Sequence, residues 1–424
     1  MSKFCGMPWL HLANDPRGGT KPCCDFSEYI KKEDGSTYYL QKDSVKDIYS
    51  SKYLKDIREQ FLNGEQPKQC KACWVKEDEG IESKRQRFQS RIDILAPNFN
   101  RHVEPEYPID YQLVLNNSCN LRCRICTSMY SSAWGKEVSK YSEDDKEYLK
   151  LNRRMFIPNK DDLTYKQPSS PGSILMEEME LWAPYLKSIE AIGGEPLYSN
   201  AWYKLINYLI DNDYAKDIAI GIVTNGTFFD KTFIEKLISN FKYVTIGVSI
   251  DGMGDIFEFL RKNGKWSEVK KNIEGYMDIR NKKNLKNFFL SFVYSVTWIN
   301  LKHFPDFYKY ISSYCTNTNI SLNKVTYPPH YALTGTPNIY KQELTDSLEK
   351  SIKKGFMDEN TVSDLKGYIS TFENQIVSEE EMEINLRSIL IVDKYRDESI
   401  LEIVKLLSIE LYNDIKNRIE NIKK

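Results

Sequence analysis

Asn116-Asn117-Ser118-Cys119-Asn120-Leu121-Arg122-Cys123-Arg124-Ile125-Cys126-Thr127-Ser128 is the stretch from which the rest of the chain is read. It follows an apolar, strand-like run, Tyr111–Leu115, and sets Cys119, Cys123 and Cys126 in a C-x3-C-x2-C pattern. Three thiolates this close in sequence can converge on one iron–sulfur cluster. A 4Fe–4S cluster usually takes four protein ligands, so three leave one iron open to a ligand from outside the protein.

The bulk composition narrows the alternatives. A chain of 424 residues is long enough for two or three domains. Its net charge of −1 lacks the polyelectrolyte footprint of a dedicated nucleic-acid binder, so nucleic acid is an unexpected partner. No apolar run reaches the roughly 18–20 residues of a membrane span. The start, Met1-Ser2-Lys3-Phe4-Cys5, has no signal-peptide core. A cytoplasmic, reducing setting is expected, where structural disulfides are rare. Of nine cysteines, eight lie within the first 126 residues and Cys315 stands apart. That clustering points to metal or cluster binding.

Residues 1–105 hold Cys5, Cys23, Cys24, Cys70 and Cys73, the last two as C-x-x-C. A Gly18-Gly19 turn and Pro22 precede the Cys23-Cys24 pair. Leu54, Ile57 and Phe61 recur at helical spacing, and Gly64 and Pro67 close that pattern. A small module built around one metal centre accounts for this arrangement. Four thiolates suit structural zinc as well as a 4Fe–4S cluster, and spacing alone leaves both open. The basic stretch Glu82–Arg91 reads as a solvated linker.

Residues 106–330 alternate strand-like and helix-like segments. Strands are expected at Tyr111–Leu115, Ser188–Ile192, Ile218–Val223, Tyr243–Ile250, Phe288–Tyr294 and Ile320–Thr326. Helical stripes fall between them: Trp202, Leu205, Ile206 and Leu209; then Phe233, Ile234, Leu237 and Ile238 behind an Asp230 cap; then Val269, Ile273 and Met277; then Phe304, Phe307 and Ile311. Repeated βα units imply a parallel sheet with helices outside. Six units are too few for a closed eight-stranded barrel. In such folds the chemistry sits at the carboxyl ends of the strands. Three polar turns fall there: Gly193-Gly194-Glu195-Pro196, Thr224-Asn225-Gly226-Thr227, and Ser249-Ile250-Asp251-Gly252 followed by Arg261. Taken singly, each also reads as an ordinary tight turn.

Taken together and in order, these elements resemble the radical S-adenosylmethionine (radical SAM) superfamily. The resemblance implies an α/β fold, a partial (β/α)6 TIM-like barrel, with Cys119, Cys123 and Cys126 holding a 4Fe–4S cluster whose open iron takes SAM. It also implies that Gly193, Gly194 and Glu195 meet the SAM amino group. Thr224 and Asn225 supply polar contacts, Ser249 and Asp251 lie near ribose and methionine, Arg261 can pair with the carboxylate, and Ile125 packs on adenine. The pattern Cys5, Gly18, Cys23, a helix and Cys70-x-x-Cys73 resembles twitch/SPASM auxiliary-cluster domains. That implies a second 4Fe–4S cluster held by Cys5, Cys23, Cys70 and Cys73, with Cys24 spare. Such modules usually follow the radical SAM core; here it precedes.

The implied chemistry is reductive cleavage of SAM to a 5′-deoxyadenosyl radical, which takes a hydrogen atom from a substrate. A flavodoxin or ferredoxin is the expected electron donor. A peptide or protein side chain is the leading substrate class, with a small molecule or nucleotide as the alternative. A zinc-binding scaffold without catalysis is the rival of another class. The long connection from Thr127 to Lys187 reads equally as a substrate lid or a solvated excursion. Residues 331–424 read as a helical extension. There Ser399 and Glu402 make a capping-box signature, and Ile400, Ile403, Leu407 and Leu411 continue one stripe. His330, without a matched partner, reads as a structural or exposed histidine.

Overall fold

The computed structural model describes residues 3–78, 82–155, 157, 167–170, 172–282, 285–314 and 319–422. Its frame is an eight-stranded sheet. The strands are β1 (His11–Asn14), β2 (Thr20–Lys21), β3 (Asp110–Leu113), β5 (Ser188–Ala191), β6 (Ala219–Thr224), β7 (Tyr243–Ser249), β9 (Phe288–Val296) and β10 (Asn319–Lys324). Two further short strands, β4 (Arg122–Cys123) and β8 (Arg261–Lys262), pair antiparallel with each other outside it. The order β10-β9-β7-β6-β5-β3 runs sequentially and all of these neighbours are parallel. This is the partial barrel expected from six βα units, with each strand within two residues of its expected bounds.

The helices between the strands follow the apolar stripes. In Asn200–Asp211, Trp202, Leu205, Ile206 and Leu209 are all buried against the sheet. Burying each such side chain contributes about 1.5–3 kcal/mol. Truncating Leu205, which is fully buried, to alanine would cost about 2–5 kcal/mol. Asp230 caps Lys231–Asn240 by accepting from the Phe233 N–H, as its position suggested. Alternation along β6, half-buried inward and buried outward, shows a sheet with one face on the helices and one on the barrel interior.

The N-terminal segment contributes to the same sheet. β1 runs parallel to β3, and β2 pairs antiparallel on the outside of β1. The Asn14 side chain extends that ladder: it donates to the Val114 carbonyl at 2.9 Å and accepts from the Val114 N–H at 3.0 Å. Around Cys5 a separate apolar cluster gathers Phe4, Trp9, Phe26, Ile57, Phe61, Trp74 and Phe88.

The linker expectation for Glu82–Arg91 fails. Ser83 and Gln86 form a capping box, and Lys84–Gln89 is a helix. Arg85 is buried, pairs with Glu77 at 2.6 Å, donates to the Phe4 carbonyl and lies over the Trp74 ring. Charge count misled here because a buried arginine with a full set of partners looks like a surface arginine in sequence.

Part of the long connection after Cys126 is helical. Ser132–Val138 and Glu143–Leu151 are helices that pack on the C-terminal extension, with Tyr141 stacked on Tyr395 at 4.1 Å. Residues 156, 158–166 and 171, in the middle of the connection read as a lid or an excursion, lie outside the described residues, as does Cys315. The extension is helical as expected, but the final stripe is broken. Ser408 is extended, ends Ile400–Leu407, and caps Ile409–Ile422 through the Leu411 N–H. His330 is buried, and its ring nitrogen Nδ1 has no hydrogen-bond partner among the described residues.

Candidate iron–sulfur and SAM site

The cysteine loop leaves the end of β3 and is held from three directions. Gly193 and Gly194, after β5, both have positive φ. A Cβ on Gly194 would stand 2.5 Å from the Ser118 carbonyl oxygen, and one on Gly193 would stand 2.4 Å from Val114 Cγ1. Glycine is required there by close approach as well as by backbone angle. The Glu195 N–H donates to the same Ser118 carbonyl at 2.8 Å. From the end of β6, Asn225 Nδ2 donates to Asn120 Oδ1 at 2.9 Å and lies 3.9 Å from the Cys119 sulfur. From beyond β7, the β4–β8 ladder sets Cys123 opposite Arg261.

Three burial and charge relationships define the electrostatics. Burial pushes the Cys123 and Cys126 thiols up, Cys126 to about 12. Each of these two also feels the Cys119 sulfur, so the three sulfurs share one space. Arg261 opposes the rise at both, which is what a cation beside prospective thiolates does. Arg261 is itself buried, with Nε 2.8 Å from Asp251 Oδ2 but not aligned as a hydrogen bond. Asp251 is fully buried and its other oxygen accepts from the Ser295 N–H at 3.0 Å.

Glu195 is almost wholly buried, and its carboxylate ties two strand ends together. It accepts from the Leu197 N–H at 3.0 Å, Thr224 Oγ1 at 2.9 Å and the Asn225 N–H at 2.6 Å. Burial nevertheless raises its pKa to about 7 against those donors. Thus Cys119, Cys123, Cys126, Gly194, Glu195, Thr224, Asn225, Asp251 and Arg261 are linked by direct contacts or by the sulfurs they share. Ile125 is half-buried against the core, and Ser249, the last residue of β7, is half-buried in register with Val293.

The second set of cysteines also converges. Cys5 and Cys73 are buried, Cys23 and Cys70 half-buried. Burial pushes Cys5 up to about 12 and Cys23 well above its ordinary value; Cys5 feels Cys73, and Cys23 feels both Cys5 and Cys70. Cys24 differs: it is exposed, and Lys84 Nζ donates to its sulfur at 2.8 Å. Sulfurs bound to one zinc at about 2.3 Å would lie within about 4 Å of each other. Among the described residues no three Cys, His, Asp or Glu side chains form a single-ion group.

Sequence reasoning missed the C-terminal anchor of this loop. Arg124, between the second and third cysteines, is fully buried. It pairs with Asp393 and Glu398 at 2.6 Å each, donates to Tyr331 Oη at 2.9 Å, and lies 3.7 Å over the Phe259 ring. Arg396 pairs with Glu137, which also pairs with Arg122. The charges were visible in sequence; their pairing across some 270 residues was not.

Comparison with known proteins supplies the family. Residues 113–311 match the radical SAM superfamily, and residues 5–74 match an iron–sulfur cluster-binding domain, SPASM. None of the curated proteins compared matches the chain. Among solved structures, native anSMEcpe with bound AdoMet is 19% identical over 57% of this chain and 61% of its own, at a TM-score of 0.35. Streptococcus suis SuiB is 12% identical over 72% of this chain and 60% of its own, also at 0.35. The chain thus covers less than two thirds of the length of either protein. Among the described residues no helix is long and apolar enough to cross a membrane. Residues 113–311 thus form a radical SAM domain, preceded by a SPASM iron–sulfur cluster-binding domain over residues 5–74, and the cofactors of these domains are SAM, a 4Fe–4S cluster and auxiliary iron–sulfur chemistry.

Proposed function

We propose that Cys119, Cys123 and Cys126 hold the SAM-cleaving cluster and that Cys5, Cys23, Cys70 and Cys73 hold one auxiliary 4Fe–4S cluster. The observation that carries this reading is the convergence of three half-buried cysteines beside Arg261, at the carboxyl ends of the strands. A reduced cluster held there would supply the one electron that splits a carbon–sulfur bond of SAM into methionine and a 5′-deoxyadenosyl radical. The chain's own residues do the rest. Gly193 and Gly194 bring the loop against the strand ends, Thr224, Asn225 and Glu195 fix its polar floor, and Ser249, Asp251 and Arg261 offer groups of both charges to an amino-acid moiety. Ile125 gives an apolar surface for the adenine. The barrel wall excludes water from the radical.

The substrate reading is a peptide or protein side chain. The sheet does not close: β10 pairs with β9 and β2 with β1, and among the described residues nothing joins β2 to β10. An extended chain can enter by that gap and present one side chain to the interior. A flavodoxin or ferredoxin is the electron donor in this reading. The division is 1–105, 106–330 and 331–424, and eight cysteines free of disulfides fit a cytoplasmic setting.

The test is anaerobic reconstitution of the full chain. The proposal expects about eight irons per chain and 5′-deoxyadenosine on reduction with SAM. Protein without iron, or with both clusters and no SAM cleavage, refutes it.

A further inference from the structure

Asn120, Asn225 and Thr227 close a ring of hydrogen bonds between the cysteine loop and the end of β6. Asn225 Nδ2 donates to Asn120 Oδ1 at 2.9 Å, Asn120 Nδ2 donates to Thr227 Oγ1 at 2.9 Å, and Thr227 Oγ1 donates to Asn225 Oδ1 at 2.6 Å. The loop side of the ring is also held from outside. Asn263 Nδ2 donates to the Asn120 carbonyl at 3.1 Å, and Arg122 Nη2 donates to Asn263 Oδ1 at 2.8 Å.

The backbone fixes the direction of the ring. The Thr227 N–H also donates to Asn225 Oδ1, at 2.9 Å. An Asn225 amide turned the other way would set its NH2 group against that N–H, so the oxygen lies on the Thr227 side and the nitrogen on the loop side. Asn225 is anchored at its own backbone too, where its N–H donates to the Glu195 carboxylate at 2.6 Å. An amide nitrogen carries two hydrogens. Asn120 takes one, and the sulfur of Cys119 stands 3.9 Å from the same nitrogen to receive the other. The Leu121 N–H approaches that sulfur as well, at 3.4 Å. Asn225 is buried, so water competes little for the second hydrogen.

We infer that Asn225 tunes the reduction potential of the cluster held by Cys119, by presenting the second N–H of its side-chain amide to the sulfur of that ligand. Reduction adds negative charge to a cluster and its thiolates. An N–H aimed at a thiolate stabilises that charge, and hydrogen bonds to the sulfurs are among the levers that set such potentials. The amide therefore raises the potential and makes the cluster easier to reduce. The ring with Asn120 and Thr227 keeps the donor aimed. This rests on the reading that Cys119, Cys123 and Cys126 hold the SAM-cleaving cluster, and gives Asn225 a role beyond its place in the polar floor.

The experiment is an anaerobic redox titration of the reconstituted full-length protein, followed by electron paramagnetic resonance. Two midpoints are expected, and the one whose signal changes when SAM is added to the parent belongs to the loop at Cys119–Cys126. The other is an internal reference, and loss of folded material moves neither. N225L keeps the size of the side chain and removes the donor. It should lower the first midpoint by up to about 59 mV, a tenfold change in a one-electron equilibrium, and leave the reference in place. N225D sets an oxygen where the nitrogen stood and should lower it at least as far. T227V breaks the ring but keeps the backbone N–H that orients Asn225. It should lower the thermal denaturation midpoint and leave both potentials unmoved. A first midpoint equal to the parent's in N225L or N225D overturns the assignment while leaving the cluster reading standing. So does a shift in T227V equal to that in N225L, because loop geometry and not the donor would then move the potential. A parent with no SAM-responsive signal overturns the cluster reading and this inference with it.

Discussion

Cys123 and Arg261 are register partners in a two-residue antiparallel ladder, although 138 positions separate them. The ladder brings the guanidinium beside the cysteine loop, and on its other side Arg261 meets the fully buried Asp251. Removing one partner of a buried pair leaves an uncompensated charge and costs about 3–5 kcal/mol. Arg261→Met should therefore lower stability by that amount and abolish SAM cleavage. The double variant with Asp251→Asn should recover part of the stability and none of the activity. Chemical denaturation together with 5′-deoxyadenosine assay checks both; additive losses in the double variant would contradict the coupling.

Glu195 makes stability depend on pH. Its pKa rises from an ordinary 4.5 to about 7 when buried. Between those values the folded chain keeps a proton that the unfolded chain has released. Stability from this group is then greatest below about pH 4.5 and falls as pH rises through 7. The swing is about 3 kcal/mol, since each pH unit between the two values contributes roughly 1.4 kcal/mol. Glu195→Gln cannot titrate, so the difference in stability between parent and variant should decline by that amount from pH 4.5 to 8. Its amide would also set a donor against the Asn225 N–H, which lowers stability throughout. Denaturation midpoints across that range measure it, and parallel curves would contradict it.

How much of this was legible in sequence depends on the range of the interactions. The strands and the helix stripes around Leu205 and Ile234 were visible because periodicity is local. The cysteine loop, the Gly193-Gly194 turn and the Ser249–Asp251 element were visible because motif spacing is local too. The cation partners were not. Arg124, Arg85 and Lys84 look like surface charges until the chain is folded and their partners arrive from Asp393, Glu77 and Gln112. One signal was available: Gln112 and Glu190 are polar at inward positions, between the apolar outward residues Tyr111 and Leu113 and Ile189 and Ala191, which marks an interior that holds something polar. The break at Ser408 was hidden because the apolar stripe runs through it with helical spacing on both sides.

Arg124 makes the C-terminal extension part of the cluster loop's support. Arg124→Met would strand the carboxylates of Asp393 and Glu398 against an apolar side chain. A loss of about 3–5 kcal/mol is expected. The helix Glu379–Arg396 should also become cleavable by protease under conditions where the parent chain resists. Arg124→Lys keeps the charge but cannot span two carboxylates and Tyr331 at once, so it should fall between the two. Limited proteolysis with mass mapping reads this directly; an unaltered cleavage pattern in the methionine variant would show that the extension is held by other contacts.

The ligand set of the auxiliary site separates Cys24 from its neighbours. Cys23 is drawn into the space shared with Cys5 and Cys70, whereas the sulfur of Cys24 is turned to Lys84 and Asp25. Cys23→Ala, Cys70→Ala and Cys73→Ala should each reduce the reconstituted protein from about eight irons to about four. Cys24→Ala should keep about eight, because no cluster ligand is lost. SAM cleavage should survive in all four variants, since the loop at Cys119–Cys126 is held by Gly194, Asn225 and Arg261 rather than by the N-terminal module. Iron analysis beside 5′-deoxyadenosine release decides the matter. A Cys24→Ala protein with half the iron, or a Cys23→Ala protein with all of it, would exchange the roles of the two adjacent cysteines.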